Sequence, residues 1–89
     1  MNERKRMYEE YLETVRELKA LLYSRGLTYA YAAKALGVSP RTVGFWFNGK
    51  SIPHPKYIEP LSKLLHIDAK ELAKMFLTVR EYRKYEDIH

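Results

Sequence analysis

Between Glu3 and Ser24 the apolar positions Tyr8, Tyr11, Val15, Leu18 and Leu22 are spaced 3, 4, 3 and 4 residues apart, which lines them on one face of an α-helix. Gly26 follows and supplies a left-handed residue to end that helix. Near the other terminus Leu72, Met75, Val79 and Tyr82 repeat the spacing at 3, 4 and 3. Asp68 with Glu71 makes a capping-box-like start, so a last helix is predicted from there to about Tyr85. Every Gly (26, 37, 44 and 49) and every Pro (40, 53, 55 and 60) lies between these two segments, and the centre therefore reads as short helices joined by tight turns. Thr28 is placed to cap a second helix through Leu36, in which Ala30, Ala32, Ala33 and Ala35 favour helix and permit a close neighbour. Ser39 and Pro40 start a third, running to about Asn48. Ile52 to Pro55 should be extended, because residues before proline avoid the α region. A fourth helix is predicted over about Pro55 to Leu65, with Pro60 loosening or kinking its first turn. The pattern is all-α, in a single domain.

Composition narrows the class. A chain of 89 residues with 46% apolar and 13% aromatic side chains can build one core but not two. It holds no cysteine, which removes disulfides, thiolate metal sites and cysteine nucleophiles together. The start Met1-Asn2-Glu3-Arg4-Lys5-Arg6 leads into charged helical sequence rather than an apolar leader, and no apolar run approaches the roughly 18 residues of a membrane span. A soluble, cytoplasmic protein without membrane contact is expected. Net charge is +5, but its distribution says more. Residues 1–17 sum to −1 and residues 59–89 to zero. Between Leu18 and Ile58 there is no acid, while Lys19, Arg25, Lys34, Arg41, Lys50 and Lys56 contribute +6. A positive field without interspersed acids suits a polyanion, since each phosphate contact releases condensed counterions.

The informative unit is the pair of short helices around Gly37-Val38-Ser39. Ala33 fits under the turn where a larger side chain would separate the helices, Gly37 takes the left-handed conformation, and Ala32, Leu36, Val38, Val43 and Trp46 point inward. With Leu27-Thr28, Thr42-Val43, Asn48-Gly49-Lys50, Pro53, Leu61, Leu65, Ile67 and Glu71-Leu72, this set resembles, without a gap, the Cro and phage-repressor type of helix-turn-helix, the xenobiotic-response-element family. The resemblance covers about residues 15–77 and implies a five-helix DNA-binding domain, here with extended first and last helices.

That resemblance implies duplex DNA as partner and a repressor-like transcriptional regulator as function, with the third helix in the major groove. The base-contacting candidates are Arg41, Gly44, Phe45 and Asn48, at helical spacing on its outward face. Arg41 is the prime reader, because a guanidinium donates twice to guanine O6 and N7; the alternative is a plain phosphate contact. Phe45 is placed either to touch a thymine methyl group or to lie flat against a neighbouring side chain. Thr28, Tyr29, Ser39, Thr42 and Lys50 are the candidates for phosphate oxygens. The family usually carries Gln where Tyr29 stands and Gly where His66 stands, and it expects smaller residues than Trp46 and Phe47.

Other functions find less support. His54, His66 and His89 show no metal-ligand spacing, no Gly-rich phosphate loop is present, and neither a catalytic constellation nor a cofactor or small-molecule motif can be read. A protein-interaction module on the same fold, antitoxin- or corepressor-like, is the rival reading, and the acid-free centre argues against it. The two terminal extensions need partners. They either pack on each other within one chain or pair two chains, and a homodimer is favoured because one recognition helix reads few base pairs. Its expected seam is Tyr8, Tyr11, Met75, Val79 and Tyr82.

Overall fold

Four of the five helices begin where a side chain takes up free backbone N–H groups; the fourth in chain order instead follows directly on a 3-10 turn. In the computed structural model, which describes residues 2–88, α1 is Glu3–Ser24, α2 Tyr29–Leu36, α3 Pro40–Phe47, α4 Ile58–Leu65 and α5 Ala69–Ile88. His89 lies outside the described residues. The Asn2 side chain accepts from Lys5 N at 2.7 Å, Thr28 Oγ1 from Tyr31 N at 3.0 Å, and Ser39 Oγ from Thr42 N at 3.1 Å. Asp68 accepts from the N–H groups of Lys70 and Glu71 at 3.0 and 3.2 Å. Gly37, at φ 73°, ends α2 in the left-handed conformation.

Three boundaries differ from the sequence reading. α3 stops at Phe47 and Asn48 caps it, its amide Nδ2 donating to Gly44 O at 2.7 Å. The segment expected to open the fourth helix, Pro55–Tyr57, is a 3-10 turn, and α4 starts only at Ile58. Pro60 therefore sits in the first turn of α4, where an N–H has no helical partner to lose, and the predicted kink is replaced by this later start. α5 runs past Tyr85 to Ile88. His66, at φ 55°, closes α4 in the left-handed region.

The core forms where the five helices meet. Leu18 and Leu22 from α1, Ala32 and Ala33 from α2, Val43, Trp46 and Phe47 from α3, Leu61 and Leu65 from α4, and Leu72, Phe76 and Val79 from α5 are all buried. The two large residues of α3 are accommodated by aromatic neighbours: Trp46 lies 5.5 Å from Tyr57, and Phe47 packs edge-on to Phe76 at 6.5 Å between ring centroids.

α1 and α5 run antiparallel along each other, and their outer halves project beyond the domain, giving an elongated molecule of 41 × 21 × 19 Å. Within one chain, residues of the seam expected of a dimer pack on one another. Tyr11 stacks on Tyr82 with ring centroids 4.4 Å apart, and Tyr8 lies 5.7 Å from Tyr82. Val79 is 0% exposed in a single chain. The apolar stripes of the two extensions thus meet within one chain at Tyr11, Val79 and Tyr82, while Tyr8 stays 44% exposed. Val79→Glu consequently buries an unpaired carboxylate and should cost about 3–5 kcal/mol of folding free energy. Thermal unfolding checks this: a variant that keeps the parental transition while only its oligomeric state changes would return Val79 to a chain–chain contact.

Candidate nucleic-acid interface

The outward face of α3 is organised around Phe45. Its half-buried ring has the Arg41 guanidinium carbon 5.2 Å from its centroid and Lys50 Nζ at 5.9 Å. Arg41 lies one turn before Phe45 on the helix; Lys50 arrives from the turn after it, where Lys50 N donates to Phe45 O at 2.9 Å. Of the two positions open to Phe45, the structure shows contact with neighbouring side chains. The ring gives two cations one apolar surface on which to lie, and cation–π attraction favours that arrangement. Arg41 and Lys50 are both exposed, so the pair presents positive charge at both ends of the exposed α3 surface.

Gly44 and Asn48 are held by a residue of α2. The Tyr29 ring lies against Gly44, where a Cβ would meet two of its carbons at 3.3 Å, so α2 and α3 approach at this point because no side chain intervenes. Tyr29 Oη accepts from Asn48 Nδ2 at 3.2 Å, and the same nitrogen donates to Gly44 O. The side-chain amide nitrogen of exposed Asn48 is thereby engaged within the chain, and its carbonyl oxygen is the remaining hydrogen-bonding atom of the group. Thr28 and Ser39 each use their oxygen as a cap, and Ser39 and Thr42 share a hydroxyl–hydroxyl bond of 2.9 Å. Thr28, Ser39 and Thr42 thus mark the N-termini of α2 and α3, where unpaired N–H groups and the helix dipole favour an anion.

The turn after α3 is fixed from a distance. Gly49 is buried at φ 71°, and its carbonyl oxygen accepts from Tyr11 Oη at 2.9 Å and from Arg83 Nη1 at 3.2 Å. Tyr11 comes from α1 and Arg83 from α5, so both extensions hold the loop that carries Lys50. The sequence reading assigned Tyr11 to a dimer seam and gave Arg83 no role. Periodicity shows that Tyr11 lies on the apolar face, but not that its hydroxyl reaches a carbonyl 38 residues on. No group of three or more metal-ligating side chains occurs among the described residues, and no helix among them is long and apolar enough to cross a membrane.

Two short helices meeting at a left-handed Gly37, with a capped third-helix surface free of acids, define a helix-turn-helix domain of the kind that binds DNA. The helix-turn-helix family model matches residues 18–72, which span all of α2, α3 and α4. The chain belongs to the Cro and phage-repressor type of this family, whose members are DNA-binding domains rather than enzymes. No curated protein and no solved structure matches it in the corresponding searches.

The Gly49 contact gives a measurable asymmetry between two glycines. Both take positive φ, but a Cβ at Gly37 meets nothing within 4 Å, while one at Gly49 comes within 2.7 Å of Tyr11 Oη and Val15 Cγ2. Gly37→Ala should cost about 1 kcal/mol of backbone strain, and Gly49→Ala should add overpacking of about 1–3 kcal/mol to that strain. Side-by-side thermal melts check it; equal losses would mean that Tyr11 and Val15 do not clasp the turn.

Proposed function

We propose that the protein is a sequence-specific, repressor-like transcriptional regulator that inserts α3 into the major groove of duplex DNA. The observation that carries this reading is the Arg41–Phe45–Lys50 surface, exposed and cationic in a stretch of chain without an acid. In it Arg41, near the start of α3, is the base reader, with Phe45 beside it and Gly44 and Asn48 along the same face. Thr28, Tyr29, Ser39, Thr42 and Lys50 contact phosphates, and the action is intracellular. Selection of bound sequences from a random duplex pool tests it. A defined site with salt-dependent affinity is expected, whereas a protein-interaction module on the same fold would enrich no sequence. Within that site, Arg41→Ala should relax preference at one base pair per half-site at a cost of about 1–3 kcal/mol, and Lys50→Ala should weaken all sequences alike and lower the salt slope by about 1. Uniform weakening by Arg41→Ala would make it a phosphate contact instead.

Two-fold pairing belongs to the same reading, because two recognition helices one DNA turn apart read enough base pairs for useful specificity. Of the expected seam Val79 is fully buried within one chain, whereas Tyr8 is 44% exposed and Tyr11, Met75 and Tyr82 are half-buried, with Met75 outside the tyrosine stack. Met75 lines a groove with Leu21 and Ile67 between α1 and α5, and Leu77 on α5 is 50% exposed. Light scattering on DNA should report a dimer, and Met75→Glu should dissociate it with the fold intact. A protein that stays monomeric on its site would remove the dimer from the reading.

A further inference from the structure

The charges of the last helix cancel in sequence but not in space. Over residues 59–89 acids and bases balance, yet Arg80, Arg83 and Lys84 stand at i, i+3 and i+4 and so share one edge of α5. That edge abuts the turn after α3. Arg83 donates to Gly49 O at 3.2 Å, and Arg80, Arg83, Lys84 and Asp87 line a shallow cleft whose other wall is Ser51 and Ile52. All three basic residues are exposed. The ion pairs among the described residues are Arg4–Glu86 and Arg6–Glu3, so no carboxylate among those residues comes within 4.0 Å of these three cations, Asp87 included. Glu86, one turn beyond Arg83 on α5, is held by Arg4 of α1.

We propose that this edge of α5 is a second phosphate-binding track, which takes the sugar–phosphate backbone of the same duplex where it leaves the Lys50 turn. The proposal rests on the DNA-binding reading above and extends it beyond the family-matched residues 18–72. Two arguments select the phosphate backbone as occupant. The edge is continuous with Lys50, the candidate phosphate contact, through the Arg83–Gly49 hydrogen bond. From Arg80 to Lys84 the helix rises about 6 Å, close to the axial advance of about two nucleotides along one strand. Arg83 commits one of its five N–H donors to Gly49 and keeps the others for an oxyanion. The contact carries no base readout, so it adds affinity and salt dependence without altering the preferred sequence.

The test is the double variant Arg80→Gln/Lys84→Gln, which leaves Arg83 and its hold on Gly49 in place. Fluorescence anisotropy against the selected duplex, with flanking base pairs on both sides, is measured over a series of salt concentrations. The slope of log K against log salt should fall by about 1.8, the change expected when two phosphates are no longer neutralised, with base preference and thermal unfolding unchanged. Lys70→Gln/Lys74→Gln removes the same charge at the far end of α5 and should leave the slope as it was. An unchanged slope in the first variant, an equal change in the control, or a change of oligomeric state in place of the slope overturns the proposal while the parent protein still binds. Failure of the parent protein to bind any duplex strikes the DNA reading itself, and this track with it.

Discussion

One carbonyl oxygen, that of Gly49, ties the recognition surface to the rest of the molecule. It accepts from Tyr11 near the start of the chain and from Arg83 near its end, so three segments with no proximity in sequence converge on a single acceptor. Without a side chain at residue 49, Tyr11 and Val15 close to within contact of the turn, and the left-handed backbone there reverses the chain directly after α3. The consequence is positional. Lys50 follows immediately and Phe45 O receives its N–H, so the direction in which Lys50 leaves the surface is set in part by helices outside the helix-turn-helix pair.

A second constraint acts on the outward face of α3. Arg41 and Lys50 carry like charge, and bringing both to one surface costs electrostatic energy that no neighbouring acid offsets along the stretch from Leu18 to Ile58. The Phe45 ring lies within 5.2 Å of one and 5.9 Å of the other, offering each cation a face with partial negative character. A polar residue at 45 would hydrogen-bond one of them; the aromatic ring leaves the donors of both free for a ligand. Tyr29 acts comparably one turn away, packing on Gly44 and receiving Asn48, so α2 and α3 keep a fixed relation on the side that faces outward.

What was legible in the sequence follows from the range of the interaction. Caps are local: Thr28, Ser39 and Asp68 each bond an N–H two or three residues on, and each could be read where it stands. The inward set of Ala32, Leu36, Val38, Val43 and Trp46 was likewise readable from helical spacing: Ala32, Val43 and Trp46 are buried, and Leu36 and Val38 pack half-buried against the core. Pro60 misled because its cost depends on the turn it occupies, and the 3-10 segment before α4 shifts that turn. Spacing also identified Tyr8, Tyr11, Met75, Val79 and Tyr82 as a stripe needing a partner without saying whose. Periodicity is a property of one helix, whereas the identity of the covering surface is a property of two. The roles of Tyr29, Gly44 and Gly49 were illegible for the same reason, and the basic edge of α5 vanished in a sum that ignored helical faces.

The extended helices also show where rigidity ends. Along the α1–α5 contact Val15, Leu18, Leu72 and Val79 are buried, and such burial contributes on the order of 1.5–3 kcal/mol per large apolar side chain. Further out the pairing passes to the tyrosines, with Tyr8 already 44% exposed. Beyond them it rests on Arg4 and Glu86, whose side chains are 60% and 32% exposed. Exposed ion pairs contribute about 0–1 kcal/mol, so they align the last turns without holding them against fraying. Stability therefore declines along the α1–α5 pair, and the Gly49 clasp, made by Tyr11 and Arg83, lies where the buried stretch gives way to the tyrosines. Arg80 stands on the rigid side and Lys84 at its margin, so an anion bound there would order the outer turns as well as neutralise them.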